Sequence, residues 1–212
     1  FNNKFYKIGS CKHADISTFS LHPLKTITTG EGGIVSSNSK KIIDKIKLYR
    51  SLGIKRDKIK HWKYDVLYTG LNFRLNDFQC ALGISQLNKI SLFLKKRKKI
   101  ADNYHNALKN VKELNLPSYQ KKNKSSFHLY MVNCNKFNEN KKNKFFSYMI
   151  KNKVMIQYHY IPIYKFKIFN KKNIFKNAEK FYKSTFSLPI YYELNKVTQN
   201  KIINLIKKYM KK

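Results

Sequence analysis

The chain has 212 residues, 42% of them hydrophobic, so it can bury a real core, and its length suits one large domain or two small ones. A formal charge of +34 would ordinarily point to nucleic acid, yet among 45 basic residues only Arg50, Arg56, Arg74 and Arg97 are arginines, the side chain that reads bases and clamps phosphates. Lysine instead travels with Asn and Ile, as in NKKNKFF and NKKNIFKNAEKFYK, which reads as compositional drift and a solvated surface; specific nucleic-acid binding is disfavoured, and a basic binding module is kept only as an alternative.

Cys11, Cys80 and Cys134 are odd in number, far apart and form no CxxC pair, so neither a disulfide framework nor a metal site is indicated, and a reducing, cytoplasmic compartment is expected. No apolar run is long enough to span a bilayer, and no membrane association is expected. The chain starts at Phe1 rather than Met, which reads as a fragment whose upstream residues are missing.

In chain order, ISTFSL (16–21) alternates apolar and polar residues and runs into a Pro, as a short strand entering a loop. The loop carries Lys25. GEGGIVSS then offers Gly30, Gly32 and Gly33 for positive φ and a sharp turn before Ile34 and Val35 open another strand. SNSKKIIDKIKLYRSLG sets Ile42, Ile46 and Tyr49 on one helical face, with Ser or Asn to cap it and Gly53 to end it.

The longest helical pattern follows at NFRLNDFQCALGISQLNKISLFLKKRKKIADNYHNAL, opened by an Asn76–Gln79 capping box and bent or broken at Gly83. Between about Lys109 and Lys124 the chain turns polar around Pro117, which places a boundary there: residues 1–110 as one part of a larger domain with its connecting helix, residues 111–212 as a small α/β domain. Beyond it FHLYMVN and KVMIQYHYIPIY read as strands, NKKNKFFSYMIKN as a helix, and SLPIY leads to a last helix in TQNKIINLIKKYM. Interleaved strands and helices make the class α/β.

An amine nucleophile must be unprotonated and held where a carbonyl can reach it, and a lysine in a tight, partly buried turn meets both conditions. Ser20, five residues before Lys25, has a hydroxyl suited to a phosphate, and the glycines let backbone approach a planar group. Together these suggest a Schiff base with pyridoxal phosphate. The plainer alternatives are a solvated loop lysine and, for His22, a structural loop histidine.

FSLHPLKTITTGEGGIVSSNS resembles the cofactor-lysine segment of the sugar-nucleotide aminotransferases of the DegT/DnrJ/EryC1/StrS family. GLNFRLNDFQCALGISQL, HYIPIY and AEKFYKSTFSLPIYYEL resemble three further blocks of that family, in family order. The resemblance implies the type I pyridoxal-phosphate-dependent transferase fold (aspartate aminotransferase-like), here as the C-terminal part of the large domain followed by the small C-terminal domain. It implies that Lys25 binds pyridoxal 5'-phosphate and serves as the base and acid moving the proton to substrate, that Ser20 binds the cofactor phosphate, and that Asn72 reaches that phosphate from the neighbouring subunit of a homodimer. His22, Arg74, His159 and Tyr160 are implied, less directly, in holding the substrate. Within the family the pattern is most similar to the pseudaminic-acid branch, which implies amination of C4 of a UDP-linked 4-keto-6-deoxy-N-acetylhexosamine with glutamate as donor. The family's phosphate loop, stacking ring and pyridine-pairing carboxylate lie upstream of Phe1, so the 212 residues alone are expected to bind the cofactor weakly and turn over nothing. A truncated, non-catalytic remnant is the standing alternative. Asn72 as a turn residue, Arg74 as a solvated first-turn cation, and His159 and Tyr160 as alternating faces of a strand are the structural alternatives.

Overall fold

The computed structural model describes residues 4–118, 124–169 and 174–211. Residues 119–123 of the polar boundary stretch lie outside the described residues. The chain divides into two compact units, Phe1–Ile90 and Ser91–Lys212. The division falls well before the boundary expected near residue 110, because the helix that follows it buries Ile100, Ala101, Tyr104 and Leu108 in the second unit's core.

In the first unit, β1 (Ser17–Ser20) pairs antiparallel with β2 (Gly33–Ser36), Ser17 opposite Ser36 and Ser20 opposite Gly33, so residues 21–32 form one closed loop. Helix α1 (Lys40–Arg50) starts where the Ser39 hydroxyl accepts the Ile42 amide, and it ends in positive-φ backbone at Leu52 and Gly53. A hairpin of β3 (Ile54–Arg56) and β4 (Tyr64–Val66) follows, which the sequence pattern did not announce. Helix α2 (Asp77–Asn88) opens with the expected capping box, Asn76 Oδ1 accepting from the Gln79 amide at 2.9 Å and Gln79 Oε1 accepting from the Asn76 amide at 3.1 Å. The long helical pattern breaks at Lys89, not at Gly83, which sits inside α2.

The second unit opens with α3 (Ile90–Leu108), whose first residue belongs to the preceding unit. It builds a three-stranded antiparallel sheet ordered β5 (Leu114–Asn115), β6 (Tyr130–Cys134), β7 (Thr185–Leu188), with α4 (Glu139–Lys151), α5 (Lys176–Ser184) and α6 (Lys196–Met210). Tyr130, Val132 and Cys134 alternate into the core from β6, where they meet Phe145 and Met149 of α4, Phe186 of β7 and Ile202, Ile203 and Ile206 of α6. Phe145 is central, its ring 4.9 Å from both Phe186 and Tyr209. Residues 153–164, expected as a strand, pair their backbone with the sheet through one bridge only, Gln157 to Ser187, before a 3-10 turn at Ile163–Lys165. Alternation promised a strand there, but only Gln157 pairs its backbone with the β7 edge, and Pro162 lacks the amide that would extend a ladder. Among the described residues no helix is long and apolar enough to cross a membrane, and all three cysteines are free.

Candidate active site

The loop between β1 and β2 is braced by its own backbone and hydroxyls. The Leu21 amide donates to Gly32 O at 2.9 Å and the Thr29 amide to Leu21 O at 3.1 Å, which closes the loop's neck. The Thr28 hydroxyl donates to Leu21 O at 2.8 Å and the Thr29 hydroxyl to Glu31 O at 2.7 Å, so these two threonines do the work of a backbone ladder. Inside this frame, the Lys25 amide donates to His22 O at 2.9 Å, a single tight turn that carries the lysine. His22 Nδ1 accepts the Leu24 amide at 3.2 Å, which leaves Nε2, 3.8 Å from Glu31 Oε1, to bear the proton of a neutral ring.

Lys25 is half-buried, and among the described residues its ammonium has no hydrogen-bond or ion-pair partner. Ser20 is exposed at the end of β1, and its hydroxyl accepts the His22 amide at 3.3 Å, which leaves its proton available to an acceptor. These features fit pyridoxal phosphate: an uncommitted amine for the aldehyde and a hydroxyl for the phosphate, both held by rigid backbone.

The loop is seated on α2. A Cβ on Gly83 would lie 2.8 Å from the Thr29 γ-methyl, and one on Gly32 would lie 2.8 Å from Leu75 Cδ2. Gly83 is therefore a close-approach residue, and the expectation that it bends or breaks the helix is corrected. Gln79 adds a bond from its side-chain amide to Glu31 O at 3.1 Å. Thr28, Thr29 and Glu31 were not singled out in the sequence, while Gln79 was read only as a cap and Gly83 only as a helix bend or break; their contacts with the loop were missed.

Asn72 and Arg74 lie on the extended segment that enters α2. The Leu71 and Phe73 amides donate to Tyr49 O and Arg50 O, both at 2.9 Å, so this segment caps the carbonyls at the end of α1. Both side chains are exposed and, among the described residues, without a side-chain partner. In the second unit His159 is half-buried, with Nδ1 2.8 Å from Ser187 Oγ, while Tyr160 is 71% exposed. His159 and Tyr160 are adjacent with their rings edge-on, centroids 4.7 Å apart, on a pinned strap rather than a strand.

A two-stranded ribbon presenting an uncommitted lysine, followed by a small α/β unit closed by a C-terminal helix, is the architecture of the C-terminal portion of a type I pyridoxal-phosphate-dependent transferase. The sequence profile of the DegT/DnrJ/EryC1/StrS aminotransferase family matches residues 6–207, and the chain belongs to that family. It is 36% identical to the UDP-4-amino-4,6-dideoxy-N-acetyl-beta-L-altrosamine transaminase of Campylobacter jejuni (serotype O:2), covering 98% of this chain and 56% of that one. It is likewise 36% identical to the protein of the same name from Helicobacter pylori, covering 92% and 51%. Among solved structures it resembles Helicobacter pylori PseC, an aminotransferase involved in the biosynthesis of pseudoaminic acid, with TM-score 0.86 and 33% identity over 93% of this chain and 54% of that one. The pyridoxal-phosphate form of a sugar aminotransferase, Spr1654 from Streptococcus pneumoniae, shares the fold with TM-score 0.87 at 21% identity over 95% and 53%. The chain spans about half the length of the curated relatives it matches, 56% of the first.

Proposed function

We propose that this chain is the lysine-bearing portion of a pyridoxal-phosphate-dependent aminotransferase that transfers an amino group from glutamate to C4 of a UDP-linked 4-keto-6-deoxy-N-acetylhexosamine. The observation that carries the reading is Lys25: a half-buried lysine whose side-chain nitrogen has no partner among the described residues, on a loop braced at both threonines, in a chain of this family. When bound, the cofactor supplies an electron sink for the carbon that gains or loses the amine. Lys25 Nζ would hold it and, as the amine nearest the reacting carbon, would serve as the base and acid that moves the proton. Ser20 Oγ donates to the cofactor phosphate. Asn72 of a second copy reaches the same phosphate, which makes the working form a homodimer, and its uncommitted amide leaves it available for that contact. Arg74, His159 and Tyr160 hold the nucleotide-sugar. His22 acts on the loop through Glu31 and Leu24, and its contact with substrate is secondary. We assign the protein to the cytoplasm, where nucleotide-sugars are assembled, in keeping with three free cysteines.

The test is the half reaction. Incubating the native, cofactor-loaded protein with glutamate alone should release one 2-oxoglutarate per Lys25, and Lys25→Ala should release none; equal yield from the variant would reject the assignment. The chain alone also supports a second reading, a non-catalytic remnant, because Trp62, Phe73 and Phe78 stand 64%, 69% and 88% exposed on its first unit. Insolubility of the chain expressed alone favours that reading.

A further inference from the structure

Lys142 of α4 is 1% exposed, a lysine taken almost wholly out of water and, among the described residues, without a carboxylate ion pair. Its ammonium donates to Tyr182 O at 2.5 Å and lies 3.7 Å from the centre of the Tyr182 ring and 4.8 Å from that of Tyr158. Burial pulls its pKa below the ordinary lysine value, with Lys165 pushing the same way and Glu139 opposing. Removing a cation from water is costly, and a long apolar side chain of the same volume would fill this space without that cost. Stability therefore does not explain the lysine. Orientation does: a positive charge over two ring faces fixes both rings and the backbone that bears them.

One of those rings belongs to the strap. Tyr158 packs 5.7 Å from Phe146 and edge-on to Tyr182 at 5.4 Å, while the residues on either side of it turn to β7. There the Ser187 amide donates to Gln157 O at 2.6 Å, the Gln157 amide to Ser187 O at 3.3 Å, and Ser187 Oγ meets His159 Nδ1 at 2.8 Å. Further along, Tyr164 and Lys165 both donate to Glu179, at 2.9 Å each. The strap is thus gripped on one side by a serine and on the other by a charge, and between the grips it exposes Tyr160.

We propose that Lys142 is a positioning residue: clasped between Tyr158 and Tyr182, it sets the 157–160 strap so that His159 and Tyr160 are presented to the nucleotide-sugar. The proposal rests on the reading of these two residues as substrate contacts given above.

The test compares Lys142→Met with the parent in the native, cofactor-loaded protein, by amide hydrogen exchange at 157–160 and by steady-state kinetics. Exchange in the strap should accelerate, and KM for the keto-sugar nucleotide should rise on the order of tenfold to a hundredfold, as expected when a positioned contact is lost. The glutamate half reaction and the melting temperature should hold. A folded variant with unchanged strap exchange and unchanged KM overturns the proposal. Should Lys142→Met not fold, Tyr158→Leu, which removes the ring and leaves the lysine, is read the same way, and an unchanged KM there is equally fatal. His159→Ala and Tyr160→Ala run in parallel. If both leave KM unchanged, the substrate role of the strap is wrong and the proposal falls with it, while an intact half reaction keeps the Lys25 chemistry standing.

Discussion

Replacing Gly83 by Ala tests whether the Lys25 loop is seated on α2. On helix propensity alone the change should stabilise by about 1 kcal/mol, because glycine is a poor helix former. The new Cβ, however, would stand 2.8 Å from the Thr29 γ-methyl, inside any ordinary carbon contact. Thr29 is 3% exposed, and it is tied through its amide to Leu21 O and through its hydroxyl to Glu31 O, so it cannot retreat without breaking the loop's own bracing. Overpacking of this kind costs about 1–3 kcal/mol, so the net effect is a destabilisation of about 0–2 kcal/mol. Thr29→Ser keeps the hydroxyl and deletes the methyl. In that background Gly83→Ala should recover the propensity gain, and the two backgrounds should differ by about 1–3 kcal/mol. Urea unfolding of the four proteins, with hydrogen exchange at the Thr29 amide, gives the cycle. A Gly83→Ala variant that is equally stabilising in both backgrounds would refute the contact and with it the account of why this glycine is there.

In the second unit, Phe145→Ala removes the 0%-exposed ring that Phe137, Phe186 and Tyr209 surround, and it should cost about 3–5 kcal/mol in thermal or urea unfolding. The hydrogen bond from Lys165, ahead of that from Tyr164, holds the Glu179 carboxyl below its ordinary value of 4.5. A lowered folded pKa contributes stability that is fully present above the unfolded value and is lost as pH falls through the folded one. Wild type and Glu179→Gln should therefore differ in stability above pH 4.5 and converge on acidification, which unfolding curves across that range will show.

Much of the architecture could be read from local signals. Asn76 with Gln79, Ser39 before α1 and Gly53 after it are rules of backbone hydrogen bonding confined to a few residues, and each stands where the pattern placed it. What escaped was decided by partners far along the chain. Gly83 looked like a helix breaker because its neighbour Thr29 is distant in sequence. The alternation in KVMIQYHYIPIY promised a strand, but its backbone pairs with the β7 edge at Gln157 alone. The boundary at Ile90 is masked by a helical pattern that runs on with only Lys89 between two helices. Lys142 had no distinguishing mark in a chain so rich in lysine, since its burial depends on Tyr158 and Tyr182 closing over it. The turn that carries Lys25 was legible from Gly30 and Gly32, which take positive φ there, while the threonines that brace it were not singled out.

In the function proposed above, one lysine among many carries the cofactor. Treating the native protein with pyridoxal phosphate, reducing with borohydride and mapping the peptides tests it directly, because reduction fixes the cofactor to whichever amine holds it. One phosphopyridoxyl group per chain is expected, on Lys25, and its loss in Lys25→Ala. Label spread across the exposed lysines in proportion to their exposure, or concentrated at another residue, would contradict it.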